Sequence, residues 1–259
     1  MKLISLNIWG GIAFADLVQF IQEEQLSTEI FCFQEVFDSP HVIVSNGTRL
    51  NILSTLKTML PEFRLFFEPT QDRIDDAGAI DVEASMGQVV FIRKELPVDG
   101  EGFVFTYRER NAMQGSDWFT LPAGFQYLRT RTGDKPLTIV NIHGISHPGD
   151  KLDTPARITQ SEKIQLFLEN AGGAKILCGD FNLERETKSV KILETNMKNL
   201  ITEYNIATTR SILNRSKYPP DQVQNFADYT FVSPEVVVHS FEVPDIPASD
   251  HLPMLLEFS

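Results

Sequence analysis

The sequence predicts an α/β (α+β) protein in which two packed mixed β-sheets are flanked by helices. Strand-like runs alternate with helical patterns at both ends of the chain. Between them, five strand-like runs follow one another with no long helix, as antiparallel strands do. Gly and Pro are ordinary in number, and no low-complexity tract or Ser/Gly linker divides the chain, so residues 1–259 are expected to form a single domain.

The elements read in order as follows. Residues 3–8 form a first strand, and Phe14, Leu17, Val18 and Ile21 then fall at helical spacing. Residues 29–34 make a strand with two aromatics, followed by a helical pattern (Leu53, Leu56, Leu60) closed by Pro61. The central strands are expected at 64–67, 88–92, 103–107, 126–130 and 137–142. Thr154-Pro155 opens the clearest helix, with a Thr N-cap and Pro at the first helical position. Its inward residues are Ile164, Phe167 and Leu168, and it stops at Gly172-Gly173. A strand at 175–179, a helix near 189–197 and strands at 228–232, 236–243 and 252–258 complete the chain.

With 42% hydrophobic residues the chain can bury a sizeable core. No window approaches 18 apolar residues, so no spanning helix is expected, and the short, interrupted apolar start does not suit a signal peptide. Cys32 and Cys178 both lie in apolar strands without Cys or His neighbours, which predicts buried, reduced thiols and a cytoplasmic setting. A net charge of −12 gives no general affinity for polyanions, so a phosphate substrate would need a bound cation or a local basic patch.

Polar residues recur where apolar runs end. Asn7 closes the first strand, Glu35 the second, and His143 follows 137–142. Asp180 and Asn182 sit in Gly179-Asp180-Phe181-Asn182, Asp228 opens the strand at 228–232, and Asp250-His251 precedes Leu252-Pro253. Each has a structural alternative: a turn for Asn7, a helix cap for Asp180 and Asn182, a satisfied structural histidine for His143. Six chain-distant polar sites at strand ends are, together, how an α/β scaffold places a reaction centre. Carboxylates and a carboxamide are hard oxygen donors suited to Mg²⁺ or Mn²⁺, and two histidines can move protons near neutral pH. There is no HExxH, GxxxxGK[ST], GxGxxG after a strand, or GxSxG, which removes thermolysin-type zinc enzymes, P-loop hydrolases, dinucleotide folds and that kind of serine hydrolase.

Leu6-Asn7-Ile8-Trp9, Gln34-Glu35-Val36, Asn141-Ile142-His143-Gly144, Gly179-Asp180-Phe181-Asn182, Asp228-Tyr229-Thr230-Phe231-Val232 and Ser249-Asp250-His251-Leu252-Pro253 resemble, in order, the successive motifs of the endonuclease/exonuclease/phosphatase superfamily, the deoxyribonuclease I-like metal-dependent phosphoesterases. The resemblance spans residues 3–258 and implies a four-layered α/β sandwich with its site at one rim of the two sheets. It implies that Glu35, with Asn7 and Asp250, binds Mg²⁺ or Mn²⁺. Asp180 would orient or deprotonate the attacking water, Asn182 and His143 would hold phosphoryl oxygens, and His251 would act with Asp228. Trp9 and His143 stand where apurinic endonucleases carry an acidic residue and a tyrosine, so the chain looks nearer to the sphingomyelinase and general bacterial branches.

Substrate is less legible. The expected activity is phosphoester hydrolysis, a nuclease or phosphodiesterase first, with nucleic acid among the substrates. The alternatives are a lipid or inositol-phosphate phosphoesterase of the sphingomyelinase-like branch, and a catalytically silent binding module on the same scaffold. No membrane anchor is read, and a monomer is favoured. Cations that could contact phosphate are Arg108, Arg110, Arg129, Arg131, Arg157 and the 210–217 segment with Arg215; Arg157 and Arg215 are the substrate-binding candidates. The acidic stretch 68–83 reads as a solvated loop, with a second cation site or a Glu83–His143 pairing as the sharper option. Phe119, Phe125 and Tyr127 read as core residues that could instead stack on a base or lipid chain.

Overall fold

In a computed structural model, described for residues 1–219 and 222–259, the chain builds sixteen strands and six α-helices. The first half contains β1 (Lys2–Asn7), α1 (Phe14–Glu24), β2 (Ile30–Asp38), β3 (Val44–Ser45), β4 (Thr48–Arg49), α2 (Ile52–Met59), β5 (Phe63–Asp72), β6 (Ile74–Asp75), β7 (Gly78–Ala79), β8 (Ser85–Arg93) and β9 (Gly100–Tyr107). The second contains β10 (Ala123–Thr132), β11 (Lys135–His143), α3 (Pro155–Asn170), β12 (Ala174–Asp180), α4 (Lys188–Leu193), β13 (Lys198–Asn199), α5 (Leu200–Glu203), α6 (Ile212–Arg215), β14 (Asp228–Val232), β15 (Val238–Glu242) and β16 (Met254–Phe258).

Two six-stranded mixed sheets result. One runs β15-β16-β1-β2-β8-β5 and the other β13-β14-β12-β11-β10-β9. In each, a parallel pair lies at the centre, β1 with β2 and β11 with β12, and its remaining partners are antiparallel. The period of two along these strands explains the layering. On β1, Ile4 and Leu6 join Leu17, Phe20 and Ile21 of α1 and Leu53 and Leu56 of α2 in one apolar cluster. Leu3, on the opposite face, joins Ile30, Cys32, Ile139, Ile176 and Cys178 between the sheets. Ile164 and Leu168 of α3 and Val190 and Leu193 of α4 belong to that second cluster and flank the second sheet. Cys32 and Cys178 are buried, unpaired and adjacent across the sheets. Among the described residues no helix is long and apolar enough to cross a membrane.

Several boundaries differ from those the sequence suggests. The second strand runs on past Gln34 to Asp38 through a bulge, so Glu35 lies inside it. The helix expected near 189–197 ends at Leu193; Thr195 and Asn196, whose side chains compete for backbone bonds, lie in the turn before β13. The acidic stretch 68–83 is ordered: Asp72 bonds Ser85, Asn111 and Arg110, and Asp75 caps a tight hairpin through Ser45, Asn46 and the Ala77 and Gly78 amides. Glu83 is exposed, and His143 faces Glu35 instead. Thr154 caps α3 as expected, accepting from the Arg157 amide at 3.2 Å.

Candidate active site

The inward-facing rows of both sheets end in polar residues at the same rim. On β1 the row is Leu3, Ser5, Asn7; on β2 it is Ile30, Cys32, Gln34; on β11, Ile139, Asn141, His143; on β12, Ile176, Cys178, Asp180. Below the rim, Gln34 Nε2 donates to Asn141 Oδ1 at 2.6 Å, and Asn141 Nδ2 reaches the Phe33 and Val89 carbonyls, clamping the sheets together. Regular pleating would turn Glu35 to the opposite face from Gln34. The bulge and a left-handed backbone at Glu35 (φ +53°) bring its carboxylate back to Asn7. Gly179 (φ +132°) lets β12 approach β11 so closely that a Cβ there would lie 2.2 Å from the Ile142 carbonyl oxygen. That approach sets Asp180 beside His143 in register.

All eight strand-end residues singled out in the sequence meet in one connected cluster. Asn7 Nδ2 donates to Glu35 (2.9 Å) and Asp180 (3.1 Å), while its Oδ1 accepts from the Trp9 amide and keeps one lone pair. His143 Nε2 is 3.5 Å from Glu35, and the Asn182 amide donates to Asp180 at 2.8 Å. His251 Nδ1 lies 2.8 Å from Asp228, and its Nε2 lies 3.7 Å from both Asp180 and Asp250. One oxygen or nitrogen each from Glu35, His143 and Asp180 falls within 4.8 Å of the others.

The electrostatics divide this cluster. Burial, with Asp250 and Asp180 nearby, pushes the Glu35 carboxyl up to about 7. Burial opposes ionisation of Asp180 as well, but His251, Lys151, His143 and Arg210 outweigh it and hold Asp180 well below the usual range. Burial lowers His143, so its ring is neutral at pH 7. For His251, burial and Arg210 oppose charge, yet Asp228, Asp180 and Asp250 together raise its pKa.

Of the two arginines picked for substrate, neither reaches the cluster. Arg157 is fully buried and donates to the Ile145, Ser146, Pro148 and Leu152 carbonyls and to Asp150, so no N–H is left for a ligand. It holds the 145–152 loop in place instead. Arg215 faces away toward Asp245 at 3.7 Å. Arg108 and Arg129 lie over tyrosine rings, and Arg110 and Arg131 pair with Asp72 and Asp99.

Buried cations stand there nonetheless. Lys151 donates to Asn182 Oδ1, and burial with Arg210 lowers its pKa to about 8. Arg210 Nη1 sits 2.5 Å from His251 Nε2, and its buried Nε has no partner among the described residues. An exposed cation, Lys217, also approaches Asp250 (3.7 Å) and covers the Trp9 ring. Arg210 and Lys217 lie in the flagged 210–217 segment, but Lys151 gave no sequence signal; its left-handed loop (φ +58°) is set by Arg157's bonds to the neighbouring carbonyls.

This arrangement, on this fold, defines a class. Residues 4–251 match the model of the Endonuclease/Exonuclease/phosphatase family, and the chain belongs to that family, whose members are divalent-metal-dependent hydrolases of phosphoester bonds. No protein of curated function matches. Among solved structures, a family member from Bacteroides thetaiotaomicron is 19% identical, with TM-score 0.72 and coverage of 100% of this chain and 97% of that one. A mannosyl-6-phosphatase from the same organism is 18% identical (TM-score 0.70; 100% and 99% covered). D. rerio TDP2, complexed with single strand DNA product, is 14% identical (TM-score 0.69; 100% and 98% covered). At these identities the likeness is one of fold.

Proposed function

We propose that this chain is a divalent-metal-dependent phosphoesterase that hydrolyses a phosphodiester or phosphomonoester by in-line attack of water. Asn7, Glu35 and Asp250 would hold Mg²⁺ or Mn²⁺. Glu35 carries the reading: a carboxylate raised to about 7, with two more carboxylates beside it, and Asn7 and His143 as its polar partners. Ionising it there costs free energy unless a cation arrives, and hard oxygens fit those two ions. Bound there, the ion supplies charge neutralisation and polarisation of a phosphoryl oxygen.

The chain's own groups do the rest. Asp180, ionised and fixed by the Asn7 and Asn182 hydrogen bonds, accepts a proton of the attacking water and aims its lone pair at phosphorus. His143 and Asn182 donate to phosphoryl oxygens, and Lys151 and Arg210 neutralise charge that grows on them. Asp228 fixes the His251 ring through Nδ1, which turns Nε2 toward Arg210 Nη1 (2.5 Å) and Asp180 (3.7 Å), where it would serve as proton carrier or charge stabiliser. Both sheets supply these groups, which supports reading residues 1–259 as one domain.

Turnover of bis-p-nitrophenyl phosphate, p-nitrophenyl phosphate, DNA, RNA, inositol phosphates and sphingomyelin, with Mg²⁺, Mn²⁺ or EDTA, tests the proposal. EDTA-sensitive hydrolysis of at least one of them is expected; full activity in EDTA contradicts it.

A further inference from the structure

A second concavity opens beside the catalytic cleft. It has a volume of about 310 Å³, and the two share Glu35, Asp76, Ser146 and His147. Asp180, Asn182, Lys151 and Arg210 line the cleft alone; Phe37, Thr48, Met86, Trp118 and Leu121 line the concavity alone. In an in-line displacement the leaving group departs opposite the attacking water. With water at Asp180, which lines the cleft and not the concavity, a leaving group on the far side of phosphorus would meet Glu35 and His143, which line the concavity. The phosphoryl group and what it is attached to therefore meet two different environments.

Those environments have opposite character. On the phosphoryl side stand two buried cations, Lys151 and Arg210, enough positive charge for a dianion. Among the described residues no Lys or Arg lines the concavity, whereas Asp75 and Asp76 do, besides Glu35, which the cation would neutralise. An anionic leaving group would be repelled there. Asp75 is spent on its hairpin, but Asp76 gives only one oxygen to the Trp9 indole N–H (3.2 Å). Its other oxygen, with the Ser146 hydroxyl, offers hydrogen-bond acceptors to a ligand rich in donors. The half-buried Trp118 indole supplies a flat apolar wall, stacked on His147 with ring centroids 6.2 Å apart and planes 21° from parallel. A flat ring beside carboxylate acceptors, in a space at the small end of ligand pockets, suits one hydroxylated ring rather than a polymer.

We infer that this concavity receives the leaving group of a small phosphomonoester, and that this group is a neutral polyhydroxylated ring the size of one pyranose. The inference rests on the phosphoesterase reading above. Hydrolysis forms one phosphorus–oxygen bond to water and breaks the one to the sugar oxygen. One water proton ends on the released hydroxyl and the other stays with the phosphate.

The test measures kcat/KM of the full chain with Mg²⁺ for glucose 6-phosphate, mannose 6-phosphate, glucose 1,6-bisphosphate, a nucleoside 5′-monophosphate, phosphocholine, a single-stranded DNA oligomer and p-nitrophenyl phosphate. A hexose monophosphate should be the best substrate, by at least about 100-fold over the bisphosphate, whose second phosphate would enter the acidic concavity. Trp118→Lys should shrink that ratio by at least about 10-fold, and because it is a ratio it is insensitive to the amount of folded enzyme. Hydrolysis of p-nitrophenyl phosphate with the nucleotide, phosphocholine or DNA preferred over both hexose phosphates would overturn the inference and leave the phosphoesterase reading standing. A ratio near one in the wild type would do the same. No turnover of any phosphoester would overturn both.

Discussion

The two sheets bring unlike halves to the shared rim. Asn7 and Glu35 end or interrupt strands of the first sheet, with Asp250 just before β16, and together they form an oxygen-rich, acidic edge. His143, Asp180, Asn182 and Asp228 belong to the second sheet or its connections, where Lys151 joins them. On the first edge, burial and the nearby Asp250 and Asp180 carboxylates raise the Glu35 carboxyl to about 7. The second has positive charge in excess of what the fold needs, so Asp180 is held ionised while burying a lysine lowers that lysine to about 8. Neither half is balanced alone. A divalent cation on one edge and a phosphoryl group on the other would balance both.

The largest effect should come from the residue on which the halves converge. Asp180→Asn is expected to lower kcat by at least about 1,000-fold, as loss of a group acting in the transition state does. A variant retaining a tenth of wild-type kcat in steady-state assays would break the assignment. Lys151→Met should lower kcat/KM by about 100-fold. It should also remove a fall in rate on the alkaline side: Lys151 is charged below about pH 8 and loses its charge as pH rises through that value. A pH–rate profile unchanged in shape would show that Lys151 does not bind phosphate.

Arg157→Met leaves four loop carbonyls without their buried donor, with a stability loss of about 3 kcal/mol by urea unfolding. A loss below about 1 kcal/mol would refute its role as the loop's anchor. The acidic edge predicts a pH-dependent response to metal. Between its ordinary value of 4.5 and about 7, Glu35 keeps a proton in the folded chain that the unfolded chain releases, so its contribution to stability falls as pH rises through that window. Cation binding needs the ionised form. Saturating Mn²⁺ should therefore raise Tm more at pH 8 than at pH 6, and equal shifts would contradict the picture. Smallest of all, Arg215→Ala should change kcat/KM by less than about 2-fold, because its partner is Asp245 outside the cleft.

Which parts of this could be read from the chain follows the same division. Asn7, Glu35, His143, Asp180 and Asp228 each abut an apolar run, and a period of two carries such a run's inward face straight to a sheet rim. Sheet architecture was legible for that reason. The bulge that re-aims Glu35 was not, since a positive φ at Glu leaves no compositional trace. Nor was the difference between Arg157 and Lys151. Both lie just beyond His143, but which points inward depends on a loop wrapped around one guanidinium, a tertiary arrangement that neither periodicity nor spacing encodes. The short helix α6 and the β6–β7 hairpin, each a few residues long, fall below the length at which periodicity speaks.

The separation of the two edges can be measured directly by calorimetric titration of Mn²⁺ into the metal-free protein and into Glu35→Gln and Lys151→Met. The account predicts that Glu35→Gln weakens Mn²⁺ binding by at least about 30-fold while Lys151→Met stays within about 3-fold of the wild type. Mn²⁺ binding that survives Glu35→Gln and is lost in Lys151→Met would contradict it.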